Sequence, residues 1–277
     1  MIKVVIVIIN LLLLATPSAA ENPMPFQDRE NLLNFYKKKF PDKKIEEYTY
    51  GALMFSEDAK SQYHSIMQFA PFEEDIDNGR QIWETPFKNG KYFADCFPAN
   101  GVGEAAKYPL YDKNLDRIVT FEMKINDCLE ENGESPFAHN DVKTMGILTS
   151  YARKLSDGFP TKVVVKSEGA LAKYLNGKEI FFKRMGQLNL SCASCHISHA
   201  GNYFRDELIS PAVGHTTHFP VFRGGEFLFT LHMRYQRCME AMRVTPFPAG
   251  GQKLSELEFF HSFLSNNLPL HSSVYRK

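Results

Sequence analysis

The chain lacks several things, and each absence narrows what it does. It has no surplus of charge: 32 Lys and Arg stand against 32 Asp and Glu over 277 residues, for a net charge of zero and a pI near 7.1. A neutral chain has no field to draw nucleic acid or an anionic membrane surface, so neither is expected as its main partner. Beyond the first twenty residues it has no apolar run that approaches a membrane span. Cysteine is scarce, with five in all, and only Cys192 and Cys195 form a Cys-x-x-Cys pair. A zinc site built on that pair would want a second ligand pair at similar spacing, and none is present. A thioredoxin-type dithiol would want a βαβ setting, which is missing too.

What is there begins with a leader. Met1-Ile2-Lys3 is followed by an apolar run from Val4 to Ala15, interrupted only by Asn10, and then by Thr16-Pro17-Ser18-Ala19-Ala20 before Glu21. A charged start, a short apolar stretch and a small-residue cleavage site read as a signal peptide over residues 1–20. The mature chain is expected to be exported, which in a bacterium means the periplasm, where c-type haem is attached and disulfides persist.

Ser191-Cys192-Ala193-Ser194-Cys195-His196 contains Cys-x-x-Cys-His, the attachment signature of c-type haem. The two thiols add to the haem vinyl groups, and the adjacent histidine is held beneath the iron as proximal ligand. One covalently bound haem c is expected, on Cys192 and Cys195, with His196 on the iron. That leaves Cys96, Cys128 and Cys238. In an oxidising compartment an odd remainder implies one pair and one thiol with a task.

The second half of the chain rhymes with the first. Gly79-Arg80-Gln81-Ile82-Trp83 matches Gly177-Lys178-Glu179-Ile180-Phe181 in residue class, and Cys96 and Cys195 follow at nearly equal distances. Pro109-Leu110-Tyr111 precedes Cys128 much as Pro220-Val221-Phe222 precedes Cys238, and Pro136-Phe137 and Pro246-Phe247 follow. In this register Phe93 and Phe97 stand where the second half has Cys192 and His196, so the first half can hold no haem. Cys96 and Cys128 then face the space a haem would fill, and a disulfide between them is expected.

The fold class is therefore mostly α: two tandem cytochrome c-like domains related by duplication, the first having lost its haem. The expected division is an N-terminal extension over 21–74, a haem-less domain over 75–160 and a haem-binding domain over 161–277. Spacing near 3.6 predicts helices around 79–90, 118–130, 141–156, 168–184, 226–243 and 253–266, with little strand apart from a short pair near 118–122. In the extension, Leu32, Leu33 and Tyr36 mark a short amphipathic helix, and the lysines at 37–39 and 43–44 read as a solvated face.

For the second iron ligand the candidates are Met233, Met239, Met242, His199, His215, His218, His232 and Cys238. An ordinary electron carrier would take Met239 or Met242. Two observations favour Cys238: it is the cysteine left over, and its twin Cys128 sits at the equivalent place in the first half. A thiolate on iron lowers the potential, which suits a reactive sulfur better than plain electron transport.

Cys192 to His196, then Gly214 and Phe219-Pro220, then Arg234-Tyr235-Gln236-Arg237-Cys238, resemble the SoxA family, the larger subunits of the SoxAX cytochromes. The likeness runs over roughly residues 75–265 and points to the single-haem branch. It implies an L-cysteine S-thiosulfotransferase that joins thiosulfate to a cysteine of the SoxYZ carrier and passes electrons out through haem, with a SoxX-like cytochrome c as partner subunit. It also implies that Cys238 is both axial ligand and active-site sulfur, held as a persulfide, and that Arg234 binds the substrate. The residues agree: Arg234 and Cys238 are i and i+4, which on a helix share one face, and a planar guanidinium suits the sulfonate oxygens of thiosulfate. Arg237 ranks second, for propionate or carrier, and Arg223 third, for propionate. The competing readings are a non-enzymatic periplasmic His–Met electron carrier and a thiosulfate dehydrogenase forming tetrathionate, the latter disfavoured by the single haem motif.

Overall fold

The structure, a computed structural model, describes residues 23–223, 227–272 and 274–275. The signal peptide expected over 1–20 lies outside the described residues. In chain order the elements are α1 (Pro23–Lys39), a 3-10 stretch at Ile45–Phe55, α2 (Glu57–Met67), α3 (Glu73–Glu84), the hairpin β1 (Leu110–Asp112) and β2 (Arg117–Val119), α4 (Phe121–Glu131), and α5 (Ile147–Lys154) entered through a π-turn at Val142–Gly146. There follow α6 (Glu168–Phe182), a π-turn at Ser194–Ser198, the small hairpin β3 (Tyr203–Phe204) and β4 (Glu207–Leu208), strands β5 (Val221–Arg223) and β6 (Phe227–Phe229), α7 (Leu231–Ala241), α8 (Gln252–Leu264) and β7 (Val274–Tyr275). The protein is mostly helical, and among the described residues its strands are short: the pairs β1–β2 and β3–β4, and the three-stranded β6–β5–β7 with β7 parallel to β5.

Local chemistry sets the helix ends. Ser56, Thr120 and Ser167 cap α2, α4 and α6, each accepting a hydrogen bond from the backbone N–H three residues on. Three acidic residues, Glu73, Glu74 and Asp75, open α3 where the helix dipole favours them. That helix lies six residues earlier than the expected 79–90. It stops at Thr85, which is extended at φ −79° and ψ 126° because Pro86 follows it. The expected helices at 118–130 and 226–243 likewise begin late, because residues 117–119 and 227–229 are strands.

The two halves are built alike in several details. α3 crosses α5 at Gly79, where an added Cβ would lie 2.3 Å from the Ile147 carbonyl oxygen. α6 crosses α8 at Gly177, where it would lie 1.9 Å from the Glu256 carbonyl oxygen. Each hairpin or strand pair leads through a threonine, Thr120 or Thr230, into the helix carrying Cys128 or Cys238. Two residues before each cysteine a side-chain amide reaches across to the Pro-Phe loop: Asn126 Nδ2 donates to the Phe137 carbonyl at 2.9 Å, and Gln236 Nε2 to the Phe247 carbonyl at 3.0 Å.

The core is divided accordingly. One cluster joins Trp83, Phe87, Phe93, Phe97, Phe121, Ile125, Met145 and Leu148, with the Cys96–Cys128 disulfide among them. The other is centred on α6 and α8, and it takes in Leu32 and Tyr36 of α1 together with Tyr48 and Met54. Between the halves runs a buried charge network. Arg153 makes a two-pronged contact to Glu122, at 3.0 and 3.1 Å, and approaches Glu258 at 3.7 Å, while His232 lies 3.2 Å from the other Glu258 oxygen.

Candidate functional site

The Cys-x-x-Cys-His stretch is shaped by its own serines. Ser194 Oγ accepts from the Ser191 N–H at 3.1 Å, and Ser191 Oγ accepts from the Ser194 N–H at 3.0 Å. This reciprocal cap starts the tight helical turn that presents Cys192, Cys195 and His196 to one cavity. The opposite wall is α7, which contributes Arg234 and Cys238. The residues expected to attach haem, ligate iron and bind substrate are thus brought together from stretches some forty residues apart.

His196 Nδ1 lies 2.9 Å from the Ser210 carbonyl oxygen. A carbonyl only accepts, so Nδ1 carries the proton, and the Nε2 lone pair is left for a metal. Cys238 hydrogen-bonds across the cavity to this same histidine. Burial pushes the Cys238 thiol up, but the Arg234 guanidinium, then His196 and Arg223, bring it down to about 7. The two other free cysteines behave oppositely: burial pushes Cys192 up to about 12 and also raises Cys195, with the Cys238 charge adding to both. Of the three free thiols, Cys238 alone is poised to ionise near neutrality.

Arg234 has no ion-pair partner among the described residues, whereas Arg237 is paired with Glu240 at 3.1 Å on the exposed side of α7. Arg223 pairs with Glu207 at the rim of the cavity. The guanidinium beside Cys238 is therefore the one open to an anion.

The other ligand candidates are placed elsewhere or engaged. Met233 and Met239 are buried and do not line the cavity, and Met242 lines it one turn beyond Cys238. His199 is exposed, with Nδ1 2.7 Å from the Ser194 carbonyl. His232 faces Glu258 at the junction of the halves, and His218 stacks on Phe219. His215 does line the cavity, but its Nδ1 is 2.9 Å from Ser210 Oγ, behind the His196 ring. Burial drives His215 well below the usual imidazole range and His261 to about 3, so both stay neutral beside His196.

The extension does more than form the short amphipathic helix expected of it. Tyr36 of α1 donates from its hydroxyl to the His196 carbonyl, and Lys39 Nζ donates to the Ser198 carbonyl at 2.7 Å. Leu32, Leu33 and Tyr36 signalled an amphipathic helix, but no signal in the sequence told which backbone it would cover. In the first half, Cys96 and Cys128 are bonded as expected, and Phe93 and Phe97 pack on Trp83.

Two thiols, an imidazole whose Nδ1 is held by a carbonyl, and a facing cysteine are the donor set of a covalently held haem, and the fold that carries them is mostly helical. Fold and site together define a c-type cytochrome. Comparison with known proteins narrows the class. The family model described as SoxA/TsdA, cytochrome c domain matches residues 78–161. The L-cysteine S-thiosulfotransferase subunit SoxA of Chlorobaculum tepidum is 41% identical over 88% of this chain and 85% of its own length. That of Allochromatium vinosum is 34% identical over 91% and 90%. The crystal structure of SoxXA from P. pantotrophus superposes with a TM-score of 0.71 at 25% identity, covering 78% of this chain and 84% of that one. The chain belongs to the SoxA family.

Proposed function

We propose that this chain is the SoxA-type subunit of an L-cysteine S-thiosulfotransferase, a single-haem cytochrome exported to the periplasm, where it works with a SoxX-like cytochrome c. The reaction joins the terminal sulfur of thiosulfate to a cysteine of the SoxYZ carrier. A sulfur–sulfur bond forms, the carrier thiol loses a proton, and two electrons leave. Cys192 and Cys195 would hold the haem, with His196 and Cys238 as the residues that would bind its iron, and the chemistry it would supply there is one-electron transfer toward the partner cytochrome.

The observation that carries this reading is the pairing of Cys238 with Arg234 on one face of α7. A thiolate facing His196 is the active-site sulfur and the base for its persulfide form. A dianionic substrate brought beside it meets like charge, which the unpaired Arg234 offsets while its planar fork aims the sulfonate. Met233 and Met239 lie off the cavity, which leaves Met242, one turn beyond Cys238, as the one methionine lining it for a His–Met carrier.

The same proposal covers the tandem architecture, with 21–74 as extension, 75–160 as a haem-less cytochrome c-like domain and 161–277 as the haem domain. The matched crossings at Gly79 and Gly177 and the matched amides of Asn126 and Gln236 support a duplication. A family match confined to residues 78–161 supports the cytochrome character of the half without a haem motif. In that half Phe93, Phe97 and the disulfide fill the space.

The test is Arg234→Ala in the assembled enzyme. Haem content and optical spectrum stay as in the wild type, while kcat/KM for thiosulfate falls about 30- to 1000-fold, the worth of one charge-assisted contact of roughly 2–4 kcal/mol. Arg234→Lys recovers part of the loss, and Arg237→Ala costs little because Glu240 already holds that side chain. Near-normal turnover of Arg234→Ala at low thiosulfate would remove Arg234 as the anchor.

A further inference from the structure

We propose that Tyr36, supplied by the N-terminal helix outside both cytochrome-like halves, is a positioning residue that sets how strongly His196 donates to iron. This rests on the reading of His196 as proximal ligand.

Tyr36 is fully buried, and its hydroxyl makes two bonds. It donates to the His196 carbonyl at 2.5 Å and accepts from the Ala212 N–H at 2.9 Å. The bridged segment is the one that orients the imidazole. Ser210 accepts the His196 Nδ1 proton at 2.9 Å, and Ala212, two residues on, also receives His261 Nε2–H on its carbonyl at 3.0 Å. Tyr36 thus ties the backbone of the proximal histidine to the backbone that accepts from its ring. One turn further along α1, Lys39 holds the carbonyls of Ile197 and Ser198, at 3.4 and 2.7 Å. The Tyr36 ring is itself fixed between Tyr48 and Phe40, with centroids 5.6 and 6.1 Å away.

The hydrogen bond from Nδ1 governs ligand basicity: the stronger it is, the more imidazolate-like the ring, and the more the ferric state is favoured. Without the hydroxyl, the direct Ala212 N–H to His196 carbonyl contact at 3.0 Å remains, but the segment from Ser210 to Ala212 loses its anchor to α1. The Ser210 carbonyl is then free to drift from Nδ1, the ring donates less, and the reduced state gains.

Tyr36→Phe keeps the ring and removes only the hydroxyl. Tyr174→Phe is the comparison: it removes a hydroxyl that bonds Asp28 at the start of α1, at 3.0 Å, without touching the loop. In the haem-loaded complex with its partner, Tyr36→Phe retains covalent haem and low-spin ligation. At a fixed electrode potential its reduced-to-oxidised ratio rises at least about threefold, equivalent to about 28 mV at 59 mV per tenfold. Tyr174→Phe lowers the melting temperature and leaves that ratio unchanged. The proposal is overturned if Tyr36→Phe loses thermal stability as Tyr174→Phe does while its potential matches the wild type. A second measurement needs no variant. In the wild-type complex the Ala212 amide exchanges with solvent as slowly as the α8 core amides, and exchange as fast as residues 203–207 equally overturns the anchoring. Failure of the underlying haem reading looks different: no covalent haem in the wild type, or a His196→Ala spectrum unchanged from it.

Discussion

Replacing Arg153 by Met tests what joins the two halves. The guanidinium is 5% exposed, and the carboxylates it serves, Glu122 and Glu258, are 8% and 3% exposed. Methionine keeps the side-chain volume and removes the charge, together with the cation over the Phe121 ring at 5.3 Å. Two buried carboxylates are then left without their shared cation, with the imidazoles of His232 and His139 nearby. Breaking a buried pair by removing one partner costs about 3–5 kcal/mol, and for a chain of this size that is a fall in Tm of roughly 6–20 °C. The loss depends on pH in a defined direction. Burial pushes Glu122 up, but Arg153 outweighs it and holds the carboxyl below the usual Glu range in the wild type. Its stabilising share is therefore present above the ordinary carboxylate range and is lost only as pH falls through the depressed value. In Arg153→Met burial of Glu122 is opposed only by a backbone hydrogen bond and His232, so its carboxyl rises and is most costly when ionised. The gap between wild type and variant, from thermal or urea unfolding at matched pH, is largest near pH 8 and narrows near pH 5. A deficit below about 1 kcal/mol at pH 8, or one that does not vary with pH, would refute the reasoning.

Gly177→Ala forces a methyl to 1.9 Å from the Glu256 carbonyl oxygen and so drives α6 from α8; destabilisation of about 1–3 kcal/mol or more and incomplete haem incorporation are expected, and a melt equal to wild type would contradict the crossing. Cys96→Ser with Cys128→Ser opens a loop of 32 residues' separation, worth about 3–4 kcal/mol in chain entropy; the haem spectrum stays as in the wild type, and non-reducing peptide mapping of the native chain finds Cys96 bonded to Cys128 and not to Cys238. In the haem-free chain, where Arg234 is the largest influence lowering the Cys238 thiol to about 7, the alkylation rate of Cys238 rises with pH through that value and Arg234→Ala moves the rise upward; a rate independent of pH between about 6 and 8 would count against that influence.

Covalent chemistry and short-range periodicity are written in the chain itself. Cys-x-x-Cys-His names its cofactor because both thioethers and the iron ligand come from five consecutive residues. The leftover-cysteine count and the internal rhyme then single out Cys238 as a candidate. The i and i+4 placement of Arg234 and Cys238 follows from helix pitch alone. Pairing of Cys96 with Cys128 was legible from the same rhyme: they align with Cys195 and Cys238, which share one cavity in the second half.

Whatever depends on distance between remote segments was decided only by tertiary structure. The guanidiniums of Arg234 and Arg237 are alike in sequence, but Glu240 engages one and no described residue engages the other. Cys192, Cys195 and Cys238 are three chemically identical thiols, and the burial of each beside or away from a cation is what separates their ionisation. The boundary errors at 79–90, 118–130 and 226–243 arise where proline or strand pairing overrides helical periodicity. Tyr36 shows the limit most clearly. Its spacing with Leu32 marks an apolar helical face, but a face does not say what it will cover. The phenol became a clamp on His196 only because α1 folds back across a separation of 160 residues to a buried carbonyl that needs a donor.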